Sequence, residues 1–332
     1  MFKNTIKVFF RYNKLNVIPL CVAKVKQVQI PQNLLPKPWL KQQIIFGLSI
    51  LGWLGFEKDD AEKESELIMT IKRAILCNQR EQFDKAEQML HLALRLAQQQ
   101  QNSQGVLYCY DLMANLAMDT HQLEKSEKLF VSVMQMLFAA GVKEDDLKMI
   151  HVSLKLARIS HLLAQEEKAA LGYKWCLEKI DSKRKASTDS KILYGIIQDW
   201  YAQFLLDHGK IEESKMHLQE AYNVCCDVQG KNTEQSMLLL NDLGITSWRA
   251  GDMAKAEEFL KDAVKTGKAL EDKSHVGVVH ANLGLIYLQS GMAEVAKKYC
   301  KQAWQIGNKN SNTESIEQAN YCFDQIKEFL GK

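Results

Sequence analysis

Small and apolar residues recur along this chain with a short period nested inside a long one. Between about residues 67 and 307 the same spacing returns six times. Its clearest copy is Leu283-Gly284, Tyr287, Gly291, Ala296, Cys300 and Ala303. Upstream copies are Leu243-Gly244, Gly251, Ala256, Leu260, Ala263, then Ala202, Gly209, Ser214, Leu218, Ala221. Before these stand Leu156-Ala157, Ala164, Ala169, Tyr173, Cys176, and Met113-Ala114, His121, Ser126, Phe130, Val133. The first copy is Arg73-Ala74, Glu81, Ala86, Leu90, Ala93. Apolar positions three and four residues apart mark one face of a helix. Small residues at a fixed place in each copy let the two helices of a hairpin approach closely. The pattern predicts six helical hairpins.

The anchors Ala86, Ser126, Ala169, Ser214, Ala256 and Ala296 lie 40, 43, 45, 42 and 40 residues apart. This spacing resembles the tetratricopeptide repeat, whose usual unit is about 34 residues, with helices or connections lengthened here. HEAT repeats share the longer period, but the Gly/Ala–Ala–Ala spacing fits the tetratricopeptide pattern better. The four prolines, Pro19, Pro31, Pro36 and Pro38, leave residues 39–332 without the main helix breaker. No sustained period-two run signals a strand. Ser315 to Leu330 reads as a further amphipathic helix, with Ile316, Ala319, Phe323, Ile326 and Leu330 on one side. A terminal helix of this kind seals the end of a stack. The expected fold is an all-α solenoid of about six hairpins with a C-terminal cap, over residues 58–332.

Composition changes near residue 57. Residues 1–56 hold eight basic residues (Lys3, Lys7, Arg11, Lys14, Lys24, Lys26, Lys37, Lys41) and no acidic one. The remainder carries 35 basic against 40 acidic residues, so the formal charge of +3 does not indicate nucleic-acid binding. Wound as a helix, Lys3, Lys7, Arg11 and Lys14 line one face, and Phe2, Ile6, Phe9, Phe10 and Val17 another. A basic, acid-free amphipathic helix has the form of a mitochondrial presequence, here residues 1–40; a disordered basic tail is the alternative.

Residues 41–57 contain the uncharged run Ile44, Phe46, Leu48, Ile50, Leu51, Trp53, Leu54 and Phe56 with the residues between them. A membrane-spanning helix needs about 17–25 apolar residues, so the run is borderline. Three readings stay open: a single membrane-inserted or stop-transfer segment, a presequence tail removed on import, or an apolar helix docked on the first repeat.

The eight cysteines show no Cys-x-x-Cys and no even framework, which argues for thiols rather than an oxidised scaffold. Cys77, Cys176 and Cys300 fall where hairpins pack, and the neighbours Cys225-Cys226 are poorly placed to pair. None of the eight histidines pairs at three- or four-residue spacing, and no phosphate loop, nucleophile elbow or metalloprotease helix occurs. The reading is a non-enzyme with no cofactor, no metal, no small-molecule substrate and no nucleic-acid partner.

A binding role then falls on the first helix of each hairpin. The register places Tyr108, Asp111, Asn115, His151, Lys155, Arg158, Asp199, Trp200, Gln203, Asn241, Trp248, Arg249 and Asn282 on that inner face. Asparagine amides can pair with the N–H and C=O groups of an extended peptide, and Trp and Arg anchor interfaces. Equally, Trp200 and Trp248 can simply fill space between repeats.

The runs Ala93-Leu-Arg-Leu-Ala97, Tyr110-Asp-Leu-Met-Ala-Asn-Leu-Ala117, Gln122-Leu-Glu, Ser153-Leu-Lys-Leu-Ala157 and Gly172-Tyr173 resemble the mitochondrial tetratricopeptide repeat protein 19 family. The likeness covers roughly residues 65–310. It implies an inner-membrane scaffold supporting respiratory complex III. Its partners would be complex III subunits including the Rieske iron–sulfur protein, whose fragments it would help to clear. The family has no catalytic residues to carry over. His121 and Ser126, in place of small residues, lead one to expect a looser second hairpin. The alternative is a cytosolic cargo or motor adaptor with extended repeats, against which the acid-free basic terminus speaks.

Overall fold

The computed structural model describes residues 65–331. The presequence reading of 1–40 and the apolar segment within 41–57 lie outside the described residues. Thirteen helices and no strand occupy the described part. They are α1 (Glu66–Gln79), α2 (Phe83–Gln99), α3 (Ser103–Asp119), α4 (Leu123–Ala139), α5 (Leu147–Leu162) and α6 (Glu166–Asp181). There follow α7 (Thr188–Asp207), α8 (Ile211–Gln229), α9 (Glu234–Arg249), α10 (Met253–Ala269), α11 (Val276–Gln289), α12 (Ala293–Lys309) and α13 (Thr313–Leu330).

The six repeats are six hairpins, α1–α2 through α11–α12. All six anchors, from Ala86 to Ala296, are completely buried. The turn inside each hairpin falls on one repeat position: Glu81, His121, Ala164, Gly209, Gly251 and Gly291 have φ of 57°, 61°, 56°, 73°, 84° and 79°. The next residue closes the helix end by a six-to-one backbone bond, as in Gln122 to Ala117 and Asp252 to Ser247. Three repeats place glycine there and three accept a side chain in a left-handed conformation. Side-chain caps mark the starts of α3, α5 and α13: Asn102 Oδ1 accepts from Gly105, Asp146 Oδ1 from Lys148, and Asn312 Oδ1 from Ser315.

The chain divides into two compact units, with the boundary between Ile197 and Gln198 inside α7. In the first unit, Leu67 and Ile71 pack with Ala93, Ala97, Tyr108 and Cys109 of the next helices. Ala114, Phe130, Val133 and Leu137 then pack with Met149, Val152 and Ile159. Ser126 is wholly buried, and its hydroxyl donates to the Ala114 carbonyl at 2.8 Å. The second hairpin therefore closes around the serine by giving its hydroxyl an acceptor. The fourth repeats the device, Ser214 to Ala202 at 2.7 Å.

In the second unit, Ala202, Leu218, Ala221, Leu239 and Leu243 join α7, α8 and α9. A larger cluster runs from Met237 and Leu260 through Leu283 and Ile286 to Ile326. A Cβ on Gly284 would lie 2.9 Å from Cys300 Sγ and 3.2 Å from the Ala296 carbonyl oxygen, so only glycine allows α11 this approach to α12. The cap α13 buries Ser315, Gln318, Ala319, Cys322 and Ile326, a face rotated from the expected one, and leaves Leu330 exposed. Cys300 and Cys322 form a disulfide between α12 and α13, with Cα atoms 5.9 Å apart. This corrects the expectation of uniformly free thiols: packing of the cap on the last hairpin brings together two cysteines that no sequence framework links.

Candidate functional site

In the first unit, α3 and α5 present the inner residues expected there, most of them withdrawn from solvent. Lys155 is buried, its ammonium 2.7 Å from Asn115 Oδ1, 3.7 Å from Asp111 Oδ1 and 5.0 Å over the Phe130 ring. Asn115 Nδ2 donates to the Asp111 carbonyl at 2.7 Å and to its carboxylate at 3.0 Å. Tyr108 is completely buried beside this group. Burial pushes the Lys155 pKa down while Asp111 and Asp119 oppose it. His151 is held well below the ordinary imidazole value, first by burial and then by Lys155. The arrangement joins α3 to α5 through paired, hydrogen-bonded charges, and breaking such a pair from one side is costly. Arg158 is half-buried, with Nη1 3.1 Å from His161 Nδ1.

Asp119 ends α3 and accepts a bond from Asn78 Nδ2 at 3.4 Å. Burial raises its carboxyl from 3.8 to about 6, partly opposed by Asn78 and Lys155. The folded protein thus keeps a proton that the unfolded chain has released, so stability declines as pH rises from 3.8 through about 6. Asp119→Asn should remove that decline and stabilise the protein at pH 7.5 by about 1–2 kcal/mol. Urea denaturation of both proteins at pH 5 and pH 7.5 checks this, and an unchanged pH slope would contradict it.

In the second unit, three helices are linked by a relay of buried amides. Gln318 Nε2 on α13 donates to Asn282 Oδ1 on α11 at 2.8 Å. Asn282 Nδ2 donates to Asn241 Oδ1 on α9 at 2.8 Å, and Asn241 Nδ2 to Asp242 Oδ1 at 3.2 Å. All four side chains are buried. The Asp242 carboxyl stands well above the usual range, from burial first and then from Asp199. Trp200 is buried, while Trp248 is half-buried and donates its Nε1–H to Gln289 Oε1. Arg249, also half-buried, donates through Nη2 to the Leu206 carbonyl at 3.4 Å.

Of the sequence candidates, Asn115, Arg158, Trp248 and Arg249 therefore retain a share of surface. Tyr108 and Lys155 in the first unit, and Trp200, Asn241 and Asn282 in the second, are buried. Gln318 escaped the sequence reading because its distance from Asn282 falls short of the repeat period. Also missed were Phe138 and Leu171, each 70% exposed on the second helices α4 and α6. Their signal was an apolar residue on a face that the repeat register leaves to water. Among the described residues no group of three or more His, Cys, Asp or Glu could hold a metal ion.

A family model described as tetratricopeptide repeat matches residues 194–269, which hold most of α7 and all of α8 to α10. The chain is 41% identical over 288 residues to the tetratricopeptide repeat protein 19 homolog, mitochondrial, of Drosophila melanogaster, covering 86% of this chain and 78% of that one. The chain belongs to the tetratricopeptide repeat protein 19 family. The Homo sapiens tetratricopeptide repeat protein 19, mitochondrial, is 31% identical over 255 residues, covering 73% and 67%. Among solved structures, BtubC (BKLC) from P. vanneervenii superposes with a TM-score of 0.52 at 17% identity, covering 81% of this chain and 92% of that one. That likeness is one of fold alone. Within the tetratricopeptide repeat protein 19 family, the relatives' names place them in the mitochondrion.

Proposed function

We propose that this member of the tetratricopeptide repeat protein 19 family is a non-catalytic scaffold at the mitochondrial inner membrane. It supports assembly or maintenance of respiratory complex III and promotes clearance of Rieske iron–sulfur subunit fragments. The observation that carries this reading is family membership along 86% of the chain, to relatives named mitochondrial. The stacked hairpins fit it, because such arrays present extended surfaces for protein partners. Partner contact falls on the inner helices, in the first unit at half-buried Arg158 and in the second at half-buried Trp248 and Arg249, residue types that anchor interfaces. Asn115 keeps a share of surface in the first unit, while Tyr108, Lys155, Trp200, Asn241 and Asn282 are buried. The acid-free residues 1–40 direct import, and Ile44 to Phe56 supply a single membrane attachment. No helix of the described residues is long and apolar enough to cross a membrane.

Removing the protein from cells should lower assembled complex III and let Rieske fragments accumulate on it. Re-expression of the natural sequence should reverse both effects. A variant with Lys3, Lys7 and Arg11 changed to Glu should remain in the cytosol and restore neither. Fragment levels that do not respond to loss of the protein would contradict the proposed function. Normal import of the triple variant would contradict the presequence reading alone.

A further inference from the structure

A helix that caps a solenoid ordinarily turns a polar face to water. In α13, Ile316, Phe323 and Leu330 share one stripe with Asn320 and Lys327, at three- and four-residue spacing. The cap buries the neighbouring face instead, through Ser315, Gln318, Ala319, Cys322 and Ile326. The leftover stripe borders, with α12, an open cleft of about 730 Å³ floored by Phe323, Ile326 and Leu330. Sites for small ligands have volumes of about 300–1,000 Å³. The Cys300–Cys322 bridge ties the two helices that form the cleft.

The α12 side is cationic. That helix carries Lys297, Lys298, Lys301 and Lys309 against a single acid, Glu294. Lys297 lines the cleft, and exposed Lys301 and Trp304 continue its stripe four and seven residues on. On earlier second helices such lysines meet acids of the adjoining hairpin, as Lys168 meets Glu127 and Lys215 meets Asp252. Lys297, Lys298 and Lys301 pair with no acid among the described residues. The one acid in the cleft, Asp324, is engaged by Lys327 at 2.9 Å, and Glu317 and Glu328 fall off the stripe.

We propose that the α12–α13 cleft binds an anionic phospholipid of a membrane surface. One acyl chain lies along Phe323, Ile326 and Leu330, and the phosphate meets Lys297 and Lys301. The wall from Asn320 to Leu330 is about 15 Å long, at about 1.5 Å per helical residue. One acyl chain reaches across half of a hydrocarbon core about 30 Å thick, which is the same length. Tryptophan settles at headgroup level, and lysine stems lie on apolar surface while their ammonium groups stay at the polar boundary. Trp304 beside Lys297 and Lys301 has that composition, and the unpaired ammonium groups complement an anionic headgroup. The site lies apart from residues 44–56 and from the inner helices, and it does not depend on the role at complex III.

The test mixes the full chain with phosphatidylcholine vesicles containing phosphatidylglycerol that carries a photoreactive diazirine on its acyl chain. After illumination, labelled peptides should come from α13 between Asn320 and Leu330. Their yield should be at least fivefold above that from vesicles in which phosphatidylcholine carries the diazirine. Lys297→Glu with Lys301→Glu should cut the α13 labelling at least fivefold and leave the helical signal unchanged. Leu330→Glu, at a position 48% exposed, should lower it as well. Labelling elsewhere in the chain is the internal reference and should respond to neither change. No labelling of α13, equal labelling by the two probes, or labelling that survives the charge swap overturns the proposal. If α13 stays unlabelled while Leu330→Glu lowers recovery of complex III subunits, the cleft takes a protein and the lipid site is overturned. Specific labelling in a protein whose loss leaves complex III unaffected supports the lipid site and contradicts only the scaffold role.

Discussion

Asn282→Leu is expected to destabilise the second unit by about 3 kcal/mol or more, the largest effect of any inner-face substitution. Asn282 both accepts from Gln318 and donates to Asn241, each at 2.8 Å, and all three are buried. Leucine would leave the Gln318 amide and the Asn241 carbonyl without these partners, at about 1–3 kcal/mol for each stranded group. Buried polar networks fail most when partly satisfied. The combined variant Asn241→Leu, Asp242→Leu, Asn282→Leu and Gln318→Leu should therefore recover most of the loss, because replacing every member by apolar groups can be nearly neutral. Chemical denaturation of the two variants decides between roles. A loss under about 0.5 kcal/mol for Asn282→Leu, within the range of ordinary surface substitutions, would show that the relay does not hold α9, α11 and α13 together.

Gly277→Val should loosen the C-terminal end of the stack while leaving its beginning intact. A Cβ at Gly277 would lie 2.6 Å from Ser315 Cβ, 2.7 Å from Ser315 Oγ and 3.0 Å from the Ala303 carbonyl oxygen. Relief requires α13 to move off α11, which also breaks the 3.0 Å bond from Ser315 Oγ to the Ser274 carbonyl. Overpacking of this kind costs about 1–3 kcal/mol, occasionally more. Repeats contact only their neighbours, so hydrogen exchange should rise in α11, α12 and α13 and stay unchanged in α1 to α4. Uniform loosening along the chain would contradict a solenoid.

The repeat was legible because close helix packing demands small residues at fixed places. The anchors from Ala86 to Ala296 and the turn positions from Glu81 to Gly291 all occupy equivalent places in the structure. Side-chain surroundings were less legible. An asparagine on the inner face reads the same in sequence whether it meets a peptide or another asparagine. Only the rotation of α11 against α9 and α13 joins Asn282 to Asn241 and Gln318. Likewise, Lys155 looked like a groove cation, yet Asp111 and Asn115 on the neighbouring helix hold it inside. The Cys300–Cys322 bridge was hidden because it depends on how the cap is seated, which no repeat position encodes.

The most direct test of the account is affinity capture of complex III subunits from mitochondria with three forms of the protein. These are the natural sequence, an inner-rim variant (Arg158→Ala, Trp248→Ala, Arg249→Ala), and an outer variant (Phe138→Ser, Leu171→Ser). Losing hot-spot anchors of this type costs about 2 kcal/mol or more apiece, so the inner variant should recover at least tenfold less of the Rieske protein. The outer variant should recover as much as the natural sequence, with all three equally helical. Equal recovery by the natural and inner-rim forms, or loss confined to the outer variant, would contradict a binding face on the inner helices.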